Sequence, residues 1–234
     1  MNSDFKMQME FLQPWSTFVM KTQLPPEVHQ KMLKITDKII ENEESPKTDH
    51  RIIVDEFIID KETLKQEELL LFFSDVSRHF VIQQFLQMYP GEEERKKILD
   101  DDWYIEITSG WTVSQKDNEY QPFHFHPGSA VSMVMYLKIP EYLPREYSKW
   151  EDYDGSICFF HNNAGNKSDW KLPSIHQPWG ASSMILKPQL GDFYIFPSSL
   201  DHLVYPFRTV NGKGERRSVS LNAIFSNKDK IKKQ

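Results

Sequence analysis

The sequence is poor in cysteine and in long apolar runs, and each shortage excludes a class of protein. Cys158 is the only cysteine among 234 residues, so no intrachain disulfide can form and a reducing, intracellular compartment is expected. No apolar run approaches the ~20 residues of a membrane span. The first residues also lack the basic and apolar regions of a secretory signal. These absences predict a cytoplasmic protein without a membrane partner.

Basic residues are also in the minority. Lys and Arg number 28 against 34 Asp and Glu, which gives a formal net charge of −6. A general nucleic-acid-binding protein should be strongly basic, so nucleic acid is not expected as a partner. The hydrophobic content of 39% and the aromatic content of 13% are sufficient to build an aromatic-rich core.

Hydrophobic periodicity changes near residue 100. Before that point apolar residues recur at three- and four-residue steps, which predicts helices at 26–42 and 61–88. After it the period is two, and turn residues follow at roughly ten-residue intervals, which predicts about eight short strands. Helices followed by many short strands are typical of a β-sandwich or jelly roll that is backed by helices.

The same change of period suggests how the chain is organised. We expect residues 1–234 to form a single domain. Residues 1–100 would be an N-terminal helical support, and residues 101–226 the β core. The lysine-rich residues 227–234 would form a solvated tail.

Two histidines lie two residues apart in the stretch Gln121-Pro-Phe-His124-Phe-His126-Pro. In an extended strand, side chains at i and i+2 project from the same face. His124 and His126 would therefore direct both imidazoles at one point, as a metal site requires. The alternative is that both are ordinary polar residues of one strand.

Further along the chain, His202 follows a predicted strand and turn and opens another short strand. Arg216 comes fourteen residues later, beyond an Asn211-Gly212 signal that predicts a hairpin between the two strands. In a jelly roll, an early histidine pair and a late histidine can converge in the barrel mouth. An arginine on the strand paired with that of His202 would point into the same pocket. Imidazole suits Fe(II), and guanidinium binds a carboxylate as a fork.

From about Trp103 to Phe225 the chain resembles the 2-oxoglutarate- and Fe(II)-dependent oxygenases. Within them it looks most like a branch found in cyanobacterial viruses and marine bacteria. The shared motifs are His124-Phe-His126-Pro-Gly-Ser, Ser132-Met-Val-Met-Tyr136-Leu, Gly191-Asp-Phe-Tyr-Ile-Phe-Pro-Ser, His202 and Arg216-Arg-Ser218-Val-Ser-Leu-Asn222. The resemblance implies a mainly β protein with N-terminal helices and a double-stranded β-helix (jelly roll, cupin-like) fold. It also implies Fe(II) as the metal and 2-oxoglutarate as the co-substrate.

One departure from the family pattern concerns the metal ligands. The resemblance implies that His124 and His202 occupy the two histidine positions, but the family has Asp or Glu where this chain has His126. We expect His124, His126 and His202 to bind the metal together, at a centre one charge unit more positive than usual. In the alternative, only one of the two strand histidines binds, and a carboxylate from outside the motif completes the site. The candidates for that carboxylate are Asp201, Asp117 and Glu119.

The resemblance further implies that Arg216 pairs with the far carboxylate of 2-oxoglutarate, with Ser218 assisting it. Strand parity places Ser132 and Tyr136 on the face of His124, and Tyr136 is expected to donate a second hydrogen bond to the co-substrate. Arg217 competes with Arg216 for the anchoring role. Because neighbours in a strand point to opposite faces, we expect Arg217 to face solvent.

These features together predict a hydroxylase. It would couple O2 and 2-oxoglutarate to the oxidation of an unidentified small molecule or protein, with release of succinate and CO2. Two alternatives stay open: a cupin-like three-histidine metal protein that does not use 2-oxoglutarate, and a non-catalytic binding jelly roll. The sequence also leaves open a homodimer, and a viral protein would act in the host cytoplasm.

Overall fold

The computed structural model describes residues 18–42, 44–48, 54–89, 91–144, 153–160 and 183–227. Apart from Asn227, the basic tail lies outside these ranges. The elements in chain order are β1 (Met20–Gln23), α1 (Pro26–Glu41), β2 (Asp55–Ile58), α2 (Lys61–Gln66), α3 (Leu69–Met88), α4 (Glu92–Asp100), β3 (Trp103–Lys116), β4 (Gln121–His124), β5 (Val131–Lys138), β6 (Ile157–Phe160), β7 (Ser183–Leu186), β8 (Asp192–Pro197), β9 (His202–Val204) and β10 (Glu215–Asn227). Within these ranges, no helix has the length and apolarity that a membrane crossing requires.

Two antiparallel sheets pack against each other. The larger has the strand order β1-β8-β5-β10-β3-β2, and the smaller has the order β4-β9-β6-β7. A cluster of buried side chains from both sheets joins them, and the rings of Phe159 and Phe196 meet there with centroids 4.9 Å apart. The expected mainly β fold with N-terminal helices is therefore confirmed.

The helices cover the outer face of the large sheet, because β5 and β10 present their apolar odd-numbered residues to it. Met133 and Leu221 are among these residues, and they pack with Met32 of α1 and Phe73 of α3. Each of the four side chains is fully buried. Burial of one such side chain contributes about 1.5–3 kcal/mol. The N-terminal segment thus supports the sheet whose other face is turned toward the smaller sheet.

The helix predicted at 61–88 is two helices. The chain breaks at Glu68, which adopts a left-handed conformation with φ of 61°. Leu64 and Leu69 are both buried but stand five residues apart, a step that one continuous helix cannot keep on one face. The Asp60 side chain caps α2 by accepting from the Thr63 backbone N–H at 2.7 Å.

The long strand β3 runs from Trp103 to Lys116, well beyond the length of the short strands that the sequence predicts. A β-bulge in β3 leaves Thr108 without a partner residue in β10. Asn222 pairs with Ser109, and the next residue, Ala223, pairs with Ile107. The bulge lets β3 stay paired with β10 along the whole length of β10. Bulges next to active sites commonly redirect side chains.

The hairpin predicted at Asn211-Gly212 is wrong. A turn does form there, because the Gly212 N–H donates to the Thr209 carbonyl at 3.2 Å. However, β9 pairs with β4 and β6, whereas β10 pairs with β3 and β5. The strands that carry His202 and Arg216 therefore belong to different sheets, and the two side chains approach one cavity from opposite walls.

Candidate metal centre

The histidines come from the ends of two paired strands. His124 is the last residue of β4 and lies directly opposite His202, the first residue of β9. His126 lies two residues beyond the end of β4, where its backbone N–H donates to the Ser198 carbonyl at 2.9 Å. The register between β4 and β9 therefore brings His124 and His202 together, and the turn after β4 places His126 beside them.

The three imidazoles converge on one point. The Nε2 atoms of His126 and His202 are 3.3 Å apart, and the ring centroids of His124 and His202 are 4.2 Å apart. One potential ligand atom from each ring lies within 4.8 Å of the others. With metal–imidazole bonds of about 2.1 Å at right angles, ligand nitrogens stand about 3.0 Å apart. The cluster therefore fits a single ion.

Backbone carbonyls set the orientation of two rings. Nδ1 of His124 lies 2.6 Å from the Pro122 carbonyl oxygen, and Nδ1 of His202 lies 2.8 Å from that of Leu200. Because a carbonyl can only accept a hydrogen bond, each Nδ1 carries the proton and each Nε2 carries the lone pair. A lone pair on Nε2 is what a metal ion requires.

Aromatic rings pack around the inner side of the centre, where His202 is buried, whereas His124 and His126 are partly exposed. His202 is 4% exposed, and the rings of Phe196 and Trp111 lie 5.0 Å from His202 and 5.4 Å from His126, respectively. Burial, followed by repulsion from His124, lowers the pKa of His202 to about 3. This ring is therefore neutral at physiological pH and able to coordinate a cation.

A cavity of about 850 Å³ extends from the histidines between the two sheets. Even-numbered side chains of β10 line it, namely Arg216, Ser218, Ser220 and Asn222. Tyr136 lines it as well, and lies opposite Ser218 in the β5–β10 register. A volume of this size accommodates small-molecule ligands well beyond a metal ion.

Arg216 is a buried cation at the wall of this cavity, with 1% of its surface exposed. Its Nη1 donates to the Gly155 carbonyl at 2.5 Å, and its Nη2 donates to Oε1 of Gln115. Within the part of the chain that the structure describes, Nε meets no acceptor and no carboxylate lies within 4.0 Å of the guanidinium. A buried charge without a counter-charge is costly, so the arrangement favours an anionic ligand.

The expectation that Arg217 faces solvent is wrong. It does lie on the opposite face of the sheet from Arg216, but helix α1 covers that face. Its guanidinium pairs with Asp37 of α1 and, at 2.7 Å, with Glu215. The Lys138 side chain above all, together with Arg217, holds the pKa of Asp37 below its ordinary value despite the opposing effect of burial. Arg217 therefore fastens α1 to the sheet.

Of three further residues predicted to bind the co-substrate, two line the cavity near Arg216 and one does not. Tyr136 is fully buried, and burial raises its pKa to about 12, so its hydroxyl keeps the proton that it could donate. Ser218 lines the cavity two residues from Arg216. Ser132 instead donates to Oδ1 of Asn222 at 2.8 Å and meets Oγ of Ser198 at 3.0 Å. The structure does not bring Ser132 together with Arg216.

The carboxylates considered as alternative ligands lie elsewhere. Asp117 accepts hydrogen bonds from the backbone N–H groups of Thr209 and Gly214 at 2.7 and 3.2 Å. Glu119 accepts from the Lys116 backbone N–H at 2.6 Å. Among the described residues, no Asp or Glu, Asp201 included, joins the histidine cluster.

Sequence reasoning missed Gln115, Gly155 and Trp111. All three are buried, and Gln115 and Gly155 contact Arg216 directly. The available signal was weak. Gln115 is the polar end of an otherwise apolar alternation in β3, and its importance becomes visible only once β3 is paired with β10.

Comparison with known proteins places this geometry in a family. Residues 109–222 match the model of a family described as "Putative 2OG-Fe(II) oxygenase", and this segment contains the three histidines and Arg216. This segment, about half of the chain, is therefore similar to the 2OG-Fe(II) oxygenases. A comparison with curated proteins finds no match.

Solved structures share the fold at low sequence identity. A prolyl hydroxylase from Trichoplax adhaerens, in complex with a hypoxia inducible factor oxygen degradation domain peptide fragment, is 10% identical, with 89% of this chain and 83% of that chain covered and a TM-score of 0.51. The epimerase SnoN, in complex with Fe3+, alpha ketoglutarate and nogalamycin RO, is also 10% identical, with 89% and 80% covered and a TM-score of 0.51. A prolyl-4-hydroxylase from Pseudomonas putida is 17% identical, with 88% and 91% covered and a TM-score of 0.49.

The first two similarities concern the fold alone, which is the double-stranded β-helix. The expectation of an oxygenase that uses Fe(II) and 2-oxoglutarate is confirmed at the level of the family. The narrower likeness to a branch from cyanobacterial viruses and marine bacteria stays a prediction.

Proposed function

We propose that this protein is a hydroxylase in which His124, His126 and His202 hold Fe(II) and Arg216 anchors 2-oxoglutarate. One observation carries the proposal: a single cavity contains three convergent imidazoles and a buried guanidinium that meets no carboxylate among the described residues. A 2-oxo diacid matches both features. Its 2-oxo acid end would chelate the metal, and its far carboxylate would meet Arg216.

The residues of the chain would divide the work. His202 and His124 present neutral nitrogen ligands because backbone carbonyls hold their Nδ1 protons. Arg216 would orient the co-substrate, and the hydroxyls of Ser218 and Tyr136, which line the same cavity, would donate hydrogen bonds to it. The rings of Phe159 and Phe196 would shield the inner side of the centre, at His202, from water.

Bound Fe(II) would supply the oxygen activation that the reaction needs. In the overall balance, O2, 2-oxoglutarate and a substrate C–H bond give succinate, CO2 and a hydroxylated product. One oxygen atom enters succinate and the other enters the product. The substrate would be a small molecule or a protein side chain that reaches the histidine end of the cavity.

A direct test measures succinate. The metal-free protein would be loaded anaerobically with Fe(II) and 2-oxoglutarate and then exposed to labelled O2. We expect succinate that carries one labelled oxygen, formed slowly even without a substrate. The control is metal-free protein that receives 2-oxoglutarate and labelled O2 but no Fe(II), and equal succinate in both samples would refute the proposal.

A second candidate function is a three-histidine metal protein that does not use 2-oxoglutarate. It is favoured by the lack of a carboxylate in the histidine cluster, as far as the described residues show. Arg216→Ala separates the two candidates, because it should abolish 2-oxoglutarate binding in an oxygenase and change little in the alternative. A binding jelly roll without catalysis predicts instead that the purified protein, free of any histidine tag, holds no stoichiometric iron.

A further inference from the structure

Gln115 is the direct cross-strand partner of Arg216 in the β3–β10 register. Both side chains are buried, and Oε1 of Gln115 accepts a hydrogen bond from Nη2 of Arg216. On the other side of the guanidinium, the Gly155 carbonyl accepts from Nη1. Two separate parts of the chain thus hold the two terminal nitrogens: strand β3, through Gln115, and the segment just before β6, through Gly155.

The orientation of the Gln115 amide is fixed by its surroundings. Nε2 of Gln115 donates to the Glu119 carbonyl at 2.5 Å and lies 3.5 Å from the Tyr205 carbonyl. Carbonyl oxygens can only accept, so the NH2 group must face them and Oε1 must face Arg216. The side chain therefore offers Arg216 a preset acceptor rather than one that has to be found by rotation.

A neutral acceptor leaves the positive charge of the arginine uncompensated, whereas an acidic acceptor would neutralise it. The amide and the Gly155 carbonyl hold the guanidinium in place but do not cancel its charge. The Nε–H donor meets no acceptor in the described part of the chain. The edge that carries Nε is therefore held in position and remains able to bind a carboxylate.

We propose that Gln115 is a positioning residue for the co-substrate. It orients Arg216 without neutralising the guanidinium charge, so that Arg216 can bind the far carboxylate of a 2-oxo diacid. This inference rests on the proposed function, and it assigns to β3 a role in co-substrate binding. Gln115 itself does not touch the reacting atoms. It acts through Arg216.

Two substitutions separate the two parts of this role. Gln115→Met keeps the side-chain length but removes the acceptor, so the guanidinium loses one of its two anchors. Gln115→Glu keeps an acceptor for Nη2 but adds a negative charge, which would compete with the co-substrate for Arg216. If Gln115 were only a structural hydrogen-bond partner, Gln115→Glu would bind the co-substrate at least as well as Gln115→Met.

The test is isothermal titration of the full-length, Fe(II)-loaded protein under anaerobic conditions with two probes. The first is 2-oxoglutarate, and the second is 2-oxobutyrate, which lacks the far carboxylate. For 2-oxoglutarate we expect Kd to rise about tenfold in Gln115→Met, the loss of one hydrogen bond to a charged group, and further in Gln115→Glu. For 2-oxobutyrate, Kd should stay unchanged in both variants, as should the iron stoichiometry. Gln84→Glu, on helix α3 away from the cavity, is the matched control for an added charge.

The outcomes distinguish the inference from the proposed function. If the wild-type protein binds neither probe, the proposed function fails and the role of Gln115 fails with it. If the wild type binds 2-oxoglutarate but both Gln115 variants bind it equally well, only the role of Gln115 is overturned. Circular dichroism verifies folding, and if Gln115→Met does not fold, the comparison of Gln115→Glu with wild type decides the question alone.

Discussion

Arg216 and Arg217 are adjacent in β10, yet their guanidinium groups lie on opposite faces of the large sheet. Arg216 lines the cavity between the sheets, and Arg217 forms ion pairs with Asp37 and Glu215 beneath helix α1. Both side chains are almost completely buried. Protein carboxylates balance the charge of Arg217, whereas Arg216 meets no carboxylate in the described part of the chain. The pair therefore allows a matched test of a structural role and a proposed ligand-binding role.

The same substitution should affect ligand binding at one position and stability at the other. Arg216→Met removes the proposed anchor, and we expect the Kd for 2-oxoglutarate to rise by roughly a hundredfold, as for loss of one partner of a buried charge pair. Arg217→Met removes the buried cation that Asp37 and Glu215 share, and leaves the more exposed Lys138 as their common partner. It should lower the free energy of unfolding and leave that Kd nearly unchanged. Calorimetric titration and urea unfolding measure the two quantities, and a reversal of the pattern would assign the anchor to Arg217.

His126 is the proposed ligand that departs from the family pattern, so its substitution is informative in two directions. His126→Ala should weaken Fe(II) binding by at least about a hundredfold, because even residues that only support a ligand contribute 10–100-fold. His126→Asp restores a carboxylate and should bind Fe(II) more tightly than wild type, since it adds a negative charge beside a divalent cation. Competition with a chromophoric chelator measures both affinities.

His29→Ala is the control for this series, because His29 lies on α1 and its ring meets the Leu137 carbonyl at 3.2 Å. It should leave the Fe(II) affinity unchanged. If His126→Ala bound Fe(II) as tightly as wild type while His124→Ala and His202→Ala lost it, His126 would not be a ligand. A carboxylate from outside the motif would then have to complete the site.

Gly155 is a position where only glycine fits. Its φ is +71°, and a Cβ there would stand 2.4 Å from the hydroxyl oxygen of Tyr142. Gly155→Ala should therefore cost about 1–2 kcal/mol of backbone strain and about 1–3 kcal/mol of steric overlap. It should also weaken 2-oxoglutarate binding, because the Gly155 carbonyl holds Arg216. Urea unfolding and calorimetric titration provide the two measurements.

Gly212 supplies the comparison, because it also has a positive φ, +63°, but a Cβ there would meet no atom within 4 Å. Gly212→Ala should show the strain without the overlap, and co-substrate binding should not change. Equal losses of stability at the two positions would argue against the Tyr142 contact.

Acid should destabilise the attachment of α1. Burial alone would raise the pKa of Glu215, but hydrogen bonds from Arg217 and Ser114 hold it below its ordinary value of 4.5. A lowered folded-state pKa stabilises the protein above the pKa of the unfolded chain, and this stability is lost as the pH falls through the folded value. The free energy of unfolding should therefore drop below about pH 4.5, and Glu215→Gln should show a shallower drop.

Urea unfolding at pH 7 and pH 3.5 compares the two proteins. Glu62→Gln, at an exposed ion pair with Lys65 on α2, is the control and should follow the wild type. A wild-type drop no steeper than that of Glu215→Gln would show that Glu215 does not carry the effect.

Local patterns in the sequence predicted the parts of the structure that depend on near neighbours. The two-residue period places Arg216 and Ser218 on one face of β10, and the three-residue and four-residue steps predict α1 almost to its ends. The pairing of β9 could not be predicted in this way, because turn residues indicate where a chain reverses and not which sheet receives it. The same limit explains Arg217, whose burial depends on a helix 180 residues away in the chain.

The convergence of the three histidines was predictable because metal-binding chemistry is concentrated in few residue types. His124, His126 and His202 stand out in any strand, and the turn after β4 happens to preserve their convergence. Gln115 could not be singled out, since an amide in a strand has many ordinary roles. Its contact with Arg216 appears only when the register between β3 and β10 is known.

The alternation along β10 has a consequence for redesign. Odd positions such as Leu221 build the hydrophobic core, while even positions from Arg216 to Asn222 face the cavity. Successive cavity-facing residues are therefore about 6.7 Å apart along the strand. Under the proposed function, exchanging Arg216 and Ser218 would move the cation by this distance toward Ser220, which pairs with Trp111 beside His126. We then expect the site to favour an acid shorter than 2-oxoglutarate.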